Sequence, residues 1–309
     1  MASGDSMVNK SDFASDTGSL EYIKSSSRNI FGAFMTGVAG FFTFLAIVPL
    51  LIILTYLLVQ GISTFSIEIF TELPPPPLVE GGGFGNAIVG TIVMVGIGAI
   101  ISVPSGVLAA IYLSEFSSPQ ISYWISFANN VLSGVPSIII GVFAYAAIVL
   151  DPLGIFGHRG YSAFAGGFAL SVLMLPIIVR TTYEALKLIP QEVRQASVGV
   201  GANDYQTVLQ IILPSALPAV VTGVSLAVAR AAGETAPLIF TALFTQYWPK
   251  WDSAPLQRPM ASLAVLVYNF ATSPFENQQR LAWGASFILV ILVLITNIIA
   301  RWAISRRQF

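Results

Sequence analysis

Six stretches of this chain run for 20 residues or more without a charged side chain: 29–67, 81–114, 116–150, 160–179, 205–229 and 281–300. A helix needs roughly 20 apolar residues to cross the ~30 Å hydrocarbon core of a bilayer. In lipid, every backbone amide must be bonded within its own helix or within a closed barrel. The runs are too continuously apolar for the roughly ten-residue alternating strands of a barrel. They predict an all-α integral membrane protein with six transmembrane helices, near 30–60, 86–112, 123–150, 162–180, 208–240 and 281–303.

Composition points the same way. Of the 309 residues, 55% are hydrophobic and 9% charged, against about 25% charged in an average soluble domain. A net charge of −1 gives no basic footprint for nucleic acid. There is no cysteine, hence no disulfide or thiol chemistry. Residues 1–29 are rich in Ser, Asp and Lys and read as a flexible cytoplasmic tail. They are too long and polar for the leading region of a signal peptide, so the first helix is expected to be retained.

Charge sets the orientation. With the N-terminus in the cytoplasm, six spans return the C-terminus there. Lys10, Lys24, Arg28, Arg180, Lys187, Arg194, Arg301, Arg306 and Arg307 then lie inside. Arg159, Lys250, Arg258 and Arg280 lie outside, and Arg230 lies within a span. That excess fits the positive-inside rule, with 306–309 a basic C-terminal end. On the outside, Pro74 to Pro77 form a stiff extended run, and Trp248 and Trp251 suit a membrane interface. Residues 259–269 are expected to form a short helix on the outer surface. Asn129 and Asn130 in the third span read as inter-helix hydrogen-bonding groups. His158 falls in an outer loop with no role assigned.

The longest cytoplasmic segment is 181–214. Pro190 suits the first turn of a helix. Val193, Ala196, Ser197 and Val200 then follow at i, i+3, i+4 and i+7, a small, weakly apolar face fit for a groove on a partner. Gly199 and Gly201 can end that helix, and Asn203 or Asp204 can cap the next. Glu115, in the short inner loop between spans two and three, is a weaker candidate for contact with the same partner.

Charges in a membrane span are costly and usually face a water-filled path or the bundle interior. Arg230 and Glu234 interrupt the fifth span four residues apart, on one face of a helix. Arginine's planar fork suits an oxyanion such as phosphate. In a continuous helix the stabilising order is acid first, and here the base comes first. Pro237 cannot bond the carbonyl of Gly233, so the span should kink or end there. Arg180 and Glu184, also four apart, are weaker pathway candidates, because Arg180 can equally anchor the end of span four at the head groups.

Gln195-Ala196-Ser197, then Gly201, then Ile211, Leu213 and Pro214 together resemble the coupling loop of ABC-importer permeases. Gln195 stands where that loop carries Glu, and Ser197 where it carries Ala. Further segments resemble PstA-type phosphate permeases in order along the chain: Ser133-Gly134-Val135-Pro136-Ser137-Ile138, Leu175-Pro176-Ile177-Ile178-Val179-Arg180-Thr181-Thr182, Ala229-Arg230-Ala231-Ala232-Gly233-Glu234-Thr235-Ala236-Pro237-Leu238, and Gln279-Arg280-Leu281-Ala282-Trp283. The resemblance implies a MetI-like ABC-importer permease fold with both termini cytoplasmic. It implies a phosphate path through Arg230 and Glu234, with Arg180 a weaker member. It also implies pairing with a PstC-type permease subunit as a heterodimer, two PstB-type ATPase subunits and a phosphate-binding protein on the outer face. ATP and Mg²⁺ would be handled by the ATPase, with Gln195, Ala196, Ser197, Gly201, Ile211, Leu213 and Pro214 coupling to it. None of Lys10, Lys24, Lys187 or Lys250 follows a glycine, so the chain holds no phosphate-binding P-loop. No cofactor is therefore expected in this chain. A permease for another oxyanion and an ion-coupled secondary transporter are the alternatives.

Overall fold

The computed structural model describes residues 27–155 and 160–305. The 1–29 tail apart from its last residues, His158, Arg159 and the 306–309 end lie outside the described residues. All the regular structure is helical among those described. Helix α1 spans Ser27–Ser63. Up to residue 56 it forms a unit of its own, and none of the side chains described there is buried. Residues from 57 onward form the second unit.

That second unit is built on α2 (Gly85–Ile111), α3 (Pro119–Gly134), α4 (Ser137–Ala144), α5 (Ala163–Lys187), α6 (Gln191–Gly199), α7 (Leu213–Ala232), α8 (Ala236–Thr241), α9 (Leu263–Ala271) and α10 (Glu276–Ser305). Wide π turns extend α2 over Tyr112–Phe116 and α4 over Tyr145–Val149, and another precedes α7 at Val208–Ile212. Among the described residues five helices are long and apolar enough to cross a membrane, or six if the bent pair α3–α4 is one span.

Small residues bring the central helices together. Along α2 the buried positions include Gly90, Met94, Gly98, Ser102, Gly106 and Ala110, one residue in four. Such small-residue stripes let transmembrane helices approach closely. Met94 meets Gly166, Gly98 meets Leu170, Ser102 meets the Met174 sulfur and Gly106 meets Ile178. Numbers rise together across this interface, so α2 and α5 run parallel. The chain between them must therefore cross back, and α3–α4 is the segment that does so. The return is not the single straight helix expected over 123–150. Pro136 lacks the N–H that would continue α3, Val135 is extended, and the two halves meet at 100°.

Helix α7 packs antiparallel on α5, with Gly223 against Thr181 at one level and Ala227 and Ala231 in the core with Leu170, Met174 and Ile178 further along. Its buried face is again small: Ala216, Val220, Gly223, Ala227 and Ala231. Two further sequence expectations change. Helix α5 continues to Lys187 rather than ending at 180, because Thr182, Ala185 and Leu186 are buried against the start of the fifth span. The helix expected on the outer surface at 259–269 is α9, whose Leu263, Ala264, Val265, Leu266 and Phe270 are buried. Nearly every residue of its first half is apolar, so it serves as a core element beside α10 and α2 rather than a surface cover.

Candidate functional site

Two places are candidates for chemistry: the short helix α6 and the break in the fifth span. Helix α6 begins after Pro190, with Glu192 in its first turn, and ends at Gly199. Gly201 follows in the left-handed region, φ +91°, with open space around it. There the chain reverses into an Asn203 capping box, in which Asn203 Oδ1 accepts from the Gln206 amide and Gln206 Oε1 accepts from the Asn203 amide.

The outward stripe of α6 is Glu192, Gln195, Ala196 and Gly199, all exposed. Of the face read from the sequence, Val193, Ala196 and Val200 are exposed as well, and Ser197 is not. Ser197 is 3% exposed and its hydroxyl lies 2.8 Å from that of Thr207. It fastens α6 to the next helical turn and does not present itself to a partner. Of the downstream positions, Pro214 is exposed and Ile211 and Leu213 are half-buried, Leu213 packing against the cluster of Leu186, Ile212 and Ala216. They shape the entry to α7. Glu115 is not a free docking group either: its side chain is 10% exposed and ion-paired with Arg194. Sequence reading missed Arg194 because nothing in its spacing points to a residue 79 positions away.

In the fifth span the helix ends earlier than Pro237 alone requires. Helix α7 stops at Ala232, Gly233 caps it, and α8 starts at Ala236 with Pro237 in its first turn, where a missing N–H costs nothing. Arg230 Nε lies 3.5 Å from Glu234 Oε1. The Arg230 side chain is 57% exposed and that of Glu234 17%. The break accounts for the reversed order of the pair. Arg230 sits in the last turn of α7, where exposed carbonyls favour a cation, and Glu234 just ahead of α8, where free amides favour an anion. Each charge is stabilised by its own helix end rather than by a shared helix.

Arg180 and Glu184 pair at 2.9 Å, both more than half exposed. They line a cleft of about 420 Å³ with Ser126, Asn129, Asn130, Ser133 and Tyr183. Asn129 Nδ2 donates to the Pro176 carbonyl at 3.2 Å, a bond from α3 to α5. Arg230 does not line this cleft. Thr181 is level with Gly223, and Arg230 is seven residues further along α7, roughly 10 Å at 1.5 Å per residue. Outside the membrane, the Asp252 carboxyl is held below the usual carboxylate range by the Ala254 amide and by Arg258. No cluster of His, Cys, Asp or Glu fit for a metal occurs among the described residues.

The molecule is a bundle of apolar, membrane-length helices with one short, mostly exposed helix held between two of them. Residues 102–308 match the family described as "Binding-protein-dependent transport system inner membrane component". The chain belongs to this family: it is a multi-pass inner-membrane permease component of an ABC transporter, not itself a catalytic subunit. It is 38% identical over 253 residues to the phosphate transport system permease protein PstA of Yersinia pestis, covering 81% of each chain. It is 40% identical over 250 residues to PstA of Haemophilus influenzae, covering 81% of this chain and 85% of that one. The probable ABC transporter permease protein YqgI of Bacillus subtilis is 31% identical over 287 residues, covering 89% of this chain and 96% of that one. Among solved structures, a chain of the bacterial alginate ABC transporter superposes with a TM-score of 0.60 at 15% identity, covering 90% of this chain and 94% of that one. A chain of the MetNI methionine ABC transporter superposes with a TM-score of 0.52 at 21% identity, covering 72% and 92%. At these identities the likeness to the two structures is one of fold.

Proposed function

We propose that this chain is the permease subunit of an ATP-driven phosphate importer, forming part of the phosphate path and coupling it to a partner ATPase. The observation that carries the reading is the Arg230–Glu234 pair across the broken fifth span, in a chain whose relatives at 36–40% identity are named phosphate permeases. The complex would contain a PstC-type permease, two PstB-type ATPase subunits that bind and hydrolyse ATP with Mg²⁺, and a phosphate-binding protein on the outer face.

The geometry supports the following working cycle. The ATPase presses on Glu192, Gln195, Ala196 and Gly199 of α6. That helix is short and stiff, and α5 and α7 flank it, so the push becomes a tilt of both spans. Access then switches from outside to inside. Phosphate released by the binding protein meets Arg230, whose exposed fork can offer two parallel hydrogen bonds. Glu234 holds Arg230 between transport events and repels a dianion once the fork releases it. Arg180, about two helical turns nearer the cytoplasm, offers a second cation on the way in.

The test is ATP-dependent uptake of labelled phosphate by the complex reconstituted in vesicles, with sulfate as competitor. Uptake that needs ATP and resists a hundredfold excess of sulfate is expected. Uptake of sulfate at a comparable rate would assign the chain to another oxyanion. Uptake without any ATPase would assign it to secondary transport.

A further inference from the structure

Helix α6 must pass force to the bundle, yet it is a nine-residue surface element with one buried residue. Its inward side has two side-chain attachments. Ser197 binds Thr207, which lies on the same cytoplasmic excursion. Arg194 reaches elsewhere. Its Nη1 binds Glu115 Oε2, and its Nη2 donates to the Leu186 carbonyl at 3.0 Å. Leu186 is in the last turn of α5. Glu115 is in the π turn that ends the second span, and its other oxygen accepts from Ser114 at 2.7 Å. The extra residue in a π turn swings a side chain out of helical register, a device often found at functional sites. Here it aims Glu115 at α6. The Arg194 and Glu115 side chains are 17% and 10% exposed, too enclosed to serve a partner subunit. Phe116, next in the π turn, stacks on Tyr205 beyond α6 with ring centres 5.2 Å apart, so the same turn is gripped on both sides of the docking helix.

We infer that Arg194 is a positioning residue for energy coupling: through Glu115 and the Leu186 carbonyl it ties the ATPase-docking helix to the inner ends of the second and fourth spans, so that these move with it as one body. The inference rests on the importer reading above. The two spans it joins, α2 and α5, are packed against each other through glycine contacts along their length, so a pull on one is a pull on both. Rim contacts alone would let α6 swivel on its two ends, at Pro190 and Gly201, without moving the bundle.

The chain has no cysteine, which makes the test clean. In the reconstituted complex, Arg194→Ala and Glu115→Ala should each lower phosphate transported per ATP hydrolysed at least tenfold. Charge exchange, R194E with E115R, should recover part of the loss. Truncating one partner leaves a buried charge and can hinder assembly, so a double apolar variant, Arg194→Leu with Glu115→Leu, removes the tie without that penalty. In parallel, spin labels at Val198→Cys and Tyr112→Cys, both exposed positions, report the distance between α6 and the π turn. With the tie intact one narrow distance should persist with and without ATP; in the double apolar variant ATP should change it. A double variant with transport per ATP within twofold of the parent, or with a label distance still constant on ATP addition, would overturn the inference. If the parent complex hydrolyses ATP but moves no phosphate, the substrate reading fails while the label distances still decide the tie.

Discussion

Arg230 and Glu234 illustrate how a residue pair gains meaning from its local backbone. Read on an unbroken helix, base before acid is the weaker order. With α7 ending at Ala232 and α8 starting at Ala236, each charge lies at the helix end that favours it, and the pair needs no further justification as a structural bridge. The Arg230 side chain is 57% exposed, and the contact to Glu234 is made through Nε. A hydrogen bond to a charged group contributes about 1.5–3 kcal/mol, roughly a 10- to 100-fold change in affinity. Arg230→Ala should therefore raise the phosphate KM of uptake by at least tenfold at normal membrane levels. Arg230→Lys should fall between, because it keeps the charge and loses the fork. Full uptake with Arg230→Ala would remove this residue from the path. The residue types at 230 and 234 were legible in the sequence. The inward turn of Ser197 was not, because a hydroxyl on a small face reads equally well as a docking contact or as a partner for Thr207.

At the scale of elements, the proposed docking helix and the glycine-lined interfaces make separate demands. Ala196 and Gly199 keep part of the exposed side of α6 small, so bulk there should block the proposed partner. Ala196→Trp is expected to abolish co-purification of the ATPase while leaving the permease in the membrane. Ser197→Ala should leave co-purification in place, since Ser197 faces inward. Retention of the ATPase by the Ala196→Trp complex would place the docking surface elsewhere. In the bundle, a Cβ at Gly90 would overlap the backbone carbonyl oxygen of Ala261, whereas one at Gly96 meets nothing within 4 Å. Overpacking costs about 1–3 kcal/mol, and alanine in a helix gains about 0.5–1 kcal/mol over glycine. Thermal unfolding of the purified complex should thus show Gly90→Ala lowering the Tm and Gly96→Ala leaving it level or higher. Equal effects would mean that α2 and the 260–262 segment are not in close contact. The apolar pattern in the sequence located α2 to within a turn but set the end of α5 seven residues short. It could not reveal the 100° bend at Val135–Pro136, because prolines also occur inside helices here, at Pro104, Pro176 and Pro218, without dividing them.

For the molecule as a whole, the decisive surface is a polar one. Exposed apolar faces are ordinary in lipid, but the cleft holding Arg180, Glu184, Asn129, Asn130 and Ser133 is not, since polar and charged groups facing hydrocarbon are costly. A second permease subunit would cover it and keep it wet. Expressed without that subunit, the chain should be present in the membrane at a several-fold lower level by immunoblot, and co-expression should restore it. Equal levels in both cases would argue that this chain is self-sufficient. The sequence by itself determined the solvent of the bundle, the approximate places of its apolar spans and the short helix held between two of them. These follow from hydropathy, charge and local helix signals, all written within 20 or 30 neighbouring residues. Only the tertiary structure decided which face of α6 is free, that α9 is core, and that Glu115 belongs to Arg194. Those outcomes depend on contacts between residues far apart in the chain, such as Gly90 with Ala261 and Arg194 with Glu115, whose pairing is set by packing and leaves no periodic mark in the sequence.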